Sequence, residues 1–225
     1  MTKWDLFPLA AAEEARVVDD AFRVLMIMSV PVFTFVLAAL LYAIPRFRKG
    51  GEPAGDGPAI HTHGPTVATW FLATTALTLL VIVFPGTTGL LELRHHAARE
   101  PDLVVKVEGT RFFWKMTYPQ QGVLSVTELV LPVGKRVRFE VTATDVVHSF
   151  WIPAFRTKID AVPGLVTTTH VTPDKTGSFQ EDSFFRLQCA ELCGVAHSLM
   201  QTPVRVVEQS EFESWVAKQV PAPSS

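Results

Sequence analysis

Apolar positions are spread unevenly along the chain. Val24 to Ile44 runs for 21 residues without Asp, Glu, Lys or Arg, and a second such run of 35 residues separates Asp56 from Glu92. Both exceed the roughly 18 apolar residues that mark a membrane span. The first apolar stretch, Phe22 to Ile44, has 23 residues. At about 1.5 Å per residue such a helix is about 34 Å long, enough for a hydrocarbon core of about 30 Å. Pro31 lies inside it, so a kink is expected, with a packed neighbour to satisfy the freed carbonyl. The second stretch starts near Thr66 and continues through Phe84, with Pro85 to Leu91 extending or capping it. Trp70 near its start suits an interfacial anchor. The pattern predicts transmembrane helices over residues 22–44 and 66–91.

The connecting residues 45–65 are rich in Gly and Pro and carry Arg46, Arg48 and Lys49 directly after the first span. The positive-inside rule makes this loop cytoplasmic and puts both ends of the chain on the outer face. Residues 1–21 form an N-terminal extramembrane segment. Its apolar stretch Leu6 to Ala12 is short, contains Pro8 and is followed by Glu13 and Glu14. It does not read as a cleavable signal, and a short surface helix or a plain extension is expected.

After Glu100 the periodicity becomes that of short strands. LVVKVEG, RFFWKMTY, VLSVTELVLPVGK, KRVRFEVTATD, VVHSFWIP, LVTTTHVTPDKTG, DSFFRLQC and TPVRVVE are rich in Val, Phe and Thr and separated by Pro and Gly turn signals. Such spacing predicts a β-sandwich or barrel over residues 100–208. In the last segment, 209–225, Ser210 and Glu213 have capping-box spacing and predict one short helix before the tail. Two membrane helices therefore precede an extramembrane β-domain.

Composition agrees with this division. The chain is 48% hydrophobic and only 19% charged, below the roughly 25% of soluble domains, and the deficit sits in the two spans. Lys and Arg total 20 against 22 Asp and Glu, so there is no basic excess and nucleic acid is not a partner.

The two cysteines are too few for a disulfide framework. They lie in CAELCGVAHSLM, where Cys189, Cys193, His197 and Met200 form a Cys-x3-Cys-x3-His-x2-Met series, with His148 well upstream in VVHSFW. Two thiols, two imidazoles and a thioether make a soft donor set that favours copper. Five candidates exceed the need of a tetrahedral zinc site, and a thioether is an unusual zinc ligand. A second cysteine beside a blue-copper-like Cys-His-Met spacing allows two sulfurs to bridge two copper ions. The competing readings are a Cys189–Cys193 disulfide, a Cys2His2 zinc site and a membrane-anchored copper chaperone of thioredoxin-like fold. That chaperone class carries one span and alternating helix and strand, unlike this chain.

HSFWIPAFRTKIDAVPG followed by QCAELCGVAHSLM closely resembles subunit II of cytochrome c oxidase, over nearly the whole chain. The resemblance implies a two-helix transmembrane hairpin and an all-β cupredoxin domain, a Greek-key β-sandwich or barrel, on the outer (periplasmic) face of a bacterial-type plasma membrane or an equivalent inner membrane. It implies a dinuclear copper centre, CuA: Cys189 and Cys193 bridge two ions, His148 and His197 bind one each, Met200 is a weak ligand and the backbone carbonyl of Glu191 another. It also implies a magnesium ion on the Glu191 carboxylate at the interface with subunit I. The implied partners are the heme-copper subunit I and an electron donor, cytochrome c or a small copper protein. No histidine lies in either span to ligate a heme, so the acceptor heme and the oxygen chemistry reside in subunit I. The chain thus contributes to an oxidoreductase as the subunit that receives electrons.

Three positions depart from the family. Where a tryptophan usually receives the electron, EGTRFFWKMTY has Phe112, with Phe113 and Trp114 following; the candidate donor-docking residues are Phe112, Trp114 and the acidic Asp145 and Asp160, although alternating aromatics in a strand more often belong to a core. Val67 replaces a glutamate common at the start of the second helix, with His61 and His63 nearby as solvated loop residues. The chain between His148 and Cys189 is also longer than is common, which predicts a longer surface hairpin in THVTPDKTGSFQEDSFF. Val67 and Phe112 motivate an alternative within the superfamily, the CuA subunit of a nitric oxide reductase.

Overall fold

The computed structural model describes residues 7–48 and 62–219. Lys49, His61 and most of the expected 45–65 loop lie outside the described residues, as do the first six residues and the tail beyond Gln219. The chain forms two compact units, Asp19–Leu91 and the remainder on either side of it.

Helix α1 spans Glu13–Phe47 and α2 spans Gly64–Val81. Helix α1 begins well before the apolar run and stays continuous through Pro31. The break falls in the second span instead, at a wide turn over Ile82–Thr87 in which Phe84 is extended (φ −137°, ψ 122°), before α3 at Thr88–Ala97. Pro85 has no N–H to continue the helical ladder there. His63 is the N-cap of α2, its Nδ1 accepting from Thr66 N at 3.4 Å, so it has a structural task beyond that of a solvated loop residue. Both α1 and the run from Gly64 to Ala97 are long and apolar enough to cross a membrane.

Eleven strands follow: β1 (Leu103–Thr110), β2 (Phe113–Tyr118), β3 (Val123–Ser125), β4 (Leu129–Pro132), β5 (Val137–Ala143), β6 (His148–Ile152), β7 (Thr157–Ala161), β8 (Thr167–Val171), β9 (Gly177–Ser178), β10 (Arg186–Cys189) and β11 (Gln201–Val207). One sheet has the order β3-β2-β1-β5-β8 and the other β4-β11-β10-β6-β7, with β9 on β11. The pairs β1–β5 and β4–β11 are parallel. Alternation fixes which side faces in: Val105 and Val107 of β1, Trp114 and Met116 of β2 and Phe139 of β5 are buried between the sheets. From the opposite sheet Phe150 meets Phe139 at 4.9 Å and Trp114 edge-on at 6.2 Å. Two of these strands have no counterpart in the sequence pattern. TKIDA of β7 exposes Lys158 and Asp160 and has a weak apolar alternation, and β9 is only two residues long.

The N-terminal segment is neither a free extension nor a surface helix. Ala11, Ala12 and Ala15 are fully buried. Ala11 N donates to Ala154 O at 2.9 Å, Glu13 N to Thr172 O at 3.0 Å and Asp174 N to Ala11 O at 3.1 Å. The Glu14 carboxylate accepts from Thr172 N at 2.8 Å and pairs with the buried Arg136 at 3.3 Å. The segment expected as a surface hairpin supplies many of these partners. Its Pro173 and Phe185 are buried or bridged into the fold, and its β9 extends the second sheet. It is a packed clamp because its Val171, Pro173 and Phe185 have apolar surface to bury.

At the far end α4 (Gln209–Gln219) lays Phe212 and Trp215 against Tyr118, with 5.2 Å between the Tyr118 and Trp215 rings. It begins one residue before the expected cap, and Glu208 O accepts from the N–H groups of Glu211 and Phe212 at its first turn.

Candidate metal centre

β6 and β10 are antiparallel neighbours with Cys189 opposite Phe150, so the end of β10 lies beside the start of β6, where His148 stands. The loop after Cys189 is tied at both ends: Ala190 N donates to Ser149 O, and Cys189 N to Met200 O, each at 3.0 Å. Gly194 has φ 137°, a conformation that only glycine adopts readily, and lets the loop turn after Cys193. A short 3-10 turn over His197–Leu199 then carries Met200 back beneath Cys193, with Met200 N donating to His197 O at 3.1 Å.

These elements converge the donor atoms. The Cys189 and Cys193 sulfurs are 3.9 Å apart and both thiols are free. Cys189 Sγ lies 3.8 Å from His148 Nδ1 and 3.1 Å from Glu191 O; Cys193 Sγ lies 3.5 Å from His197 Nδ1 and 3.9 Å from Met200 Sδ. Each sulfur therefore has one imidazole and one weaker donor beside it. His148, Cys189 and Cys193 offer ligand atoms within 4.8 Å of one another, all buried. The set is soft, sulfur-rich and contains a thioether, which fits copper and exceeds a four-coordinate zinc site.

His148 is fully buried and held from behind, with Nε2 2.9 Å from Asp145 Oδ1. With the proton on Nε2, the Nδ1 lone pair is left to face the sulfurs, the arrangement that fixes a metal-binding imidazole. Asp145 also accepts from Val146 N at 2.7 Å, Arg111 N at 3.0 Å and Arg111 Nε at 3.1 Å. Burial alone would raise its pKa. The hydrogen bonds from Arg111, His148 and Val146 outweigh this and hold it well below the usual carboxylate range. Burial, then the neighbouring Cys189, pushes the Cys193 thiol up to about 11. A metal that binds both sulfurs must therefore displace protons.

The expected docking residues are not gathered on one surface. Trp114 is fully buried, its ring 6.0 Å from His148 and at 66° to it. It cannot be a docking contact, because β2 turns Trp114 inward and Phe113 outward. Asp145 faces the imidazole and Arg111, which leaves little of its charge for steering a partner. Phe112 is half-buried, and its ring would lie 3.1 Å from a Cβ at Gly194, so it covers the donor loop. Asp160 remains exposed on β7, opposite Ser149. The Glu191 carboxylate is exposed, while its carbonyl faces Cys189. Sequence reasoning missed Gly109, where a Cβ would approach His148 and Trp114 to 3.0 Å. A glycine inside a strand was the available signal.

Residues 120–208 match the family described as cytochrome C oxidase subunit II, periplasmic domain. Cytochrome c oxidase subunit 2 of Thermostichus vulcanus is 31% identical over 264 aligned residues, covering 93% of this chain and 77% of that protein. The chain belongs to the cytochrome c oxidase subunit II family. The subunit 2 of Alkalihalophilus pseudofirmus is 32% identical, covering 90% of this chain and 58% of that protein. The crystal structure of the periplasmic domain of subunit II of cytochrome oxidase (CoxB) of Bradyrhizobium japonicum matches 54% of this chain and 95% of that domain, with a TM-score of 0.50 and 36% identity. As a subunit II, the chain is a membrane component of a heme-copper oxidase, and its His/Cys cluster points to copper. The two β-sheets of the domain set aside the thioredoxin-like chaperone.

Proposed function

We propose that the β-domain lies on the outer face of the membrane, holds the dinuclear CuA centre, and passes electrons from a soluble or tethered carrier to heme in subunit I, where oxygen is reduced to water. The carrier is cytochrome c or a small copper protein. The observation that carries this reading is the pair of buried thiols 3.9 Å apart, each flanked by an imidazole nitrogen, at 3.8 and 3.5 Å. In this reading Cys189, Cys193, His148, His197, Met200 and the Glu191 carbonyl would together hold the copper pair. The Glu191 carboxylate, exposed beside them, would take a magnesium ion where subunit I meets this loop. When bound, the copper pair supplies one-electron transfer without making or breaking bonds to substrate.

The chain's own residues keep those donors in place. Strand ends hold His148 and Cys189, the tie between Cys189 N and Met200 O closes the loop, and Asp145 orients His148. Burial excludes water from both sulfurs. Little has to move when the charge on the site changes, which is what rapid electron exchange requires.

Metal analysis of the purified complex tests the reading. Two copper ions per subunit II and a purple mixed-valence spectrum are expected, both lost in Cys193→Ser; one colourless copper or a single zinc would refute it. Turnover with oxygen and with nitric oxide identifies the terminal acceptor, and selective nitric oxide turnover would replace the oxygen reductase with its superfamily alternative.

A further inference from the structure

Residues at the start of α1, the end of α3 and strands β7 and β8 line a cavity of about 280 Å³, all of them in the unit that contains the β-domain. Its charged lining is Arg136, Arg156 and Lys158 against Glu14, with the imidazoles of His96 and His170. Most of the surrounding charge is already matched. Glu14 is engaged by Arg136 Nη1 at 3.3 Å and by Thr172 N at 2.8 Å, Glu13 pairs with Arg99 at 3.0 Å, and Glu140 with Arg138 at 2.9 Å. His96 lies 3.7 Å from Glu13, and Arg156 donates to the carbonyls of Pro8 and Pro153 at 2.6 and 2.7 Å. Two cationic groups are left over. Arg136 is only 4% exposed, yet its Nη2 has no acceptor, and Lys158 has no ion pair among the described residues. A buried N–H without an acceptor carries a cost that an incoming oxygen removes. The field has the matching sign at His170, whose pKa is lowered by burial and then by Arg136 and Arg138, with Glu14 opposing. Those two cations disfavour a further positive charge there and favour a negative one.

The cavity adjoins both membrane runs. Val18 in its lining stands four residues before Phe22 on α1, and Leu93 two residues after Leu91 on α3. At about 1.5 Å per residue they lie about 6 and about 3 Å beyond the apolar runs, within the roughly 5–7 Å that head groups add to each side of the hydrocarbon core. We propose that the cavity holds a phosphate anion, carried by the head group of an anionic phospholipid or free in the same compartment, with Arg136, Lys158 and His170 as its donors. A phosphate suits this lining because its several acceptor oxygens can meet donors from three separate segments at once. The volume is just below the roughly 300–1,000 Å³ of pockets that enclose a whole small molecule, so a head group fits where a larger ligand would not. The site is separate from the sulfur cluster, with which it shares no residue.

The test uses the whole purified complex, stripped of lipid in an uncharged detergent. Modification of His96 and His170 by diethyl pyrocarbonate is followed by peptide mass spectrometry, with the exposed His95 as internal reference. The probes are dioctanoyl phosphatidylglycerol, inorganic phosphate and, as a lipid without phosphate, dioctanoylglycerol. Phosphatidylglycerol is expected to protect His96 and His170 saturably and to leave His95 reactive, and dioctanoylglycerol to protect neither. Lys158→Gln should raise the half-protecting concentration about fivefold and Lys158→Glu about 30-fold, as expected for about one and two charges at a membrane surface. Lys106→Glu, the same charge change outside the cavity, should leave it at the wild-type value. Protection by the lipid at lower concentration than by inorganic phosphate assigns the site to a head group, and equal potency assigns it to a free anion. Equal protection by dioctanoylglycerol, or protection unaltered in Lys158→Glu, would overturn the proposal. So would histidines at 96 and 170 that the reagent cannot reach in the lipid-free complex while His95 reacts, which would mean that another subunit fills the cavity.

Discussion

Gly109→Ala is expected to disturb the metal centre without touching a ligand. A methyl at Gly109 would lie 3.0 Å from His148 Cδ2, 3.0 Å from Trp114 Cζ3 and 3.3 Å from His148 Cγ, where ordinary contacts begin at 3.4 Å. The two rings must therefore yield by about 0.4 Å. Neither has room. His148 is fully buried with Nε2 held by Asp145, and Trp114 is fully buried between His148 and Phe150. Overpacking of this kind costs about 1–3 kcal/mol. His148 is the softer neighbour, because its Nδ1 side faces sulfur at 3.8 Å, so the ring is pushed toward Cys189. Misplacing a ligand on this scale should weaken copper binding by about 10–100-fold, like the loss of a group that orients a ligand. Competition titration with a copper chelator reads the affinity, and the visible spectrum reads the site geometry. Trp114→Phe removes the atom opposing His148, so Gly109→Ala/Trp114→Phe should regain part of the lost affinity. Wild-type affinity and an unshifted spectrum in Gly109→Ala alone would refute the reasoning.

Glu14→Ala leaves Arg136 buried without its carboxylate and Thr172 N without an acceptor, and should cost about 3–5 kcal/mol in urea unfolding. Adding Arg136→Met should recover much of that loss, and no recovery would contradict the assignment of the cost to an unpaired charge. Tyr118→Phe removes a hydroxyl that donates to Val130 O and accepts from Val130 N, both at 3.0 Å; about 1–3 kcal/mol of stability should go, measured the same way. The His170 pKa is lowered by burial and then by Arg136 and Arg138. Its unfolded form therefore binds the proton more readily, so its contribution to stability is intact above about pH 6.5 and lost as pH falls below that. His170→Gln should flatten the melting temperature against pH in that window, and an unchanged slope would exclude His170 as its source.

The membrane runs and the strand-rich domain were legible because each rests on a signal that burial imposes directly: lack of charge for the spans, and Val/Phe/Thr alternation for β1, β2, β5 and β11. What escaped had the opposite property. TKIDA of β7 shows two exposed charges and a half-buried Ile159, so its pairing with β6 is a matter of backbone register and leaves almost no hydrophobic trace. The N-terminal strap escaped because it is fixed by main-chain bonds to Ala154 and Thr172 and by one ion pair, between residues more than a hundred positions apart. Local pattern carries no information about such partners. The break at Phe84–Pro85 was written as a proline, but so was Pro31, and only Pro85 lies where a helix opens.

At the metal centre the donors were legible because copper needs particular atoms, and thiol, imidazole and thioether are rare enough that their spacing stands out. The residues that make the donors work were not. Asp145 looked like a surface carboxylate suited to attracting a basic protein, and Trp114 like a ring available to a docking partner. The fold turns both toward His148, one to fix its tautomer and the other to wall its edge. Gly109 has no side chain to notice; its role is the space that it leaves. Charge and aromaticity have many uses at a surface and few in a core. Which one applies is decided by whether β2 and the β5–β6 turn face in or out, a property of the assembled sheets.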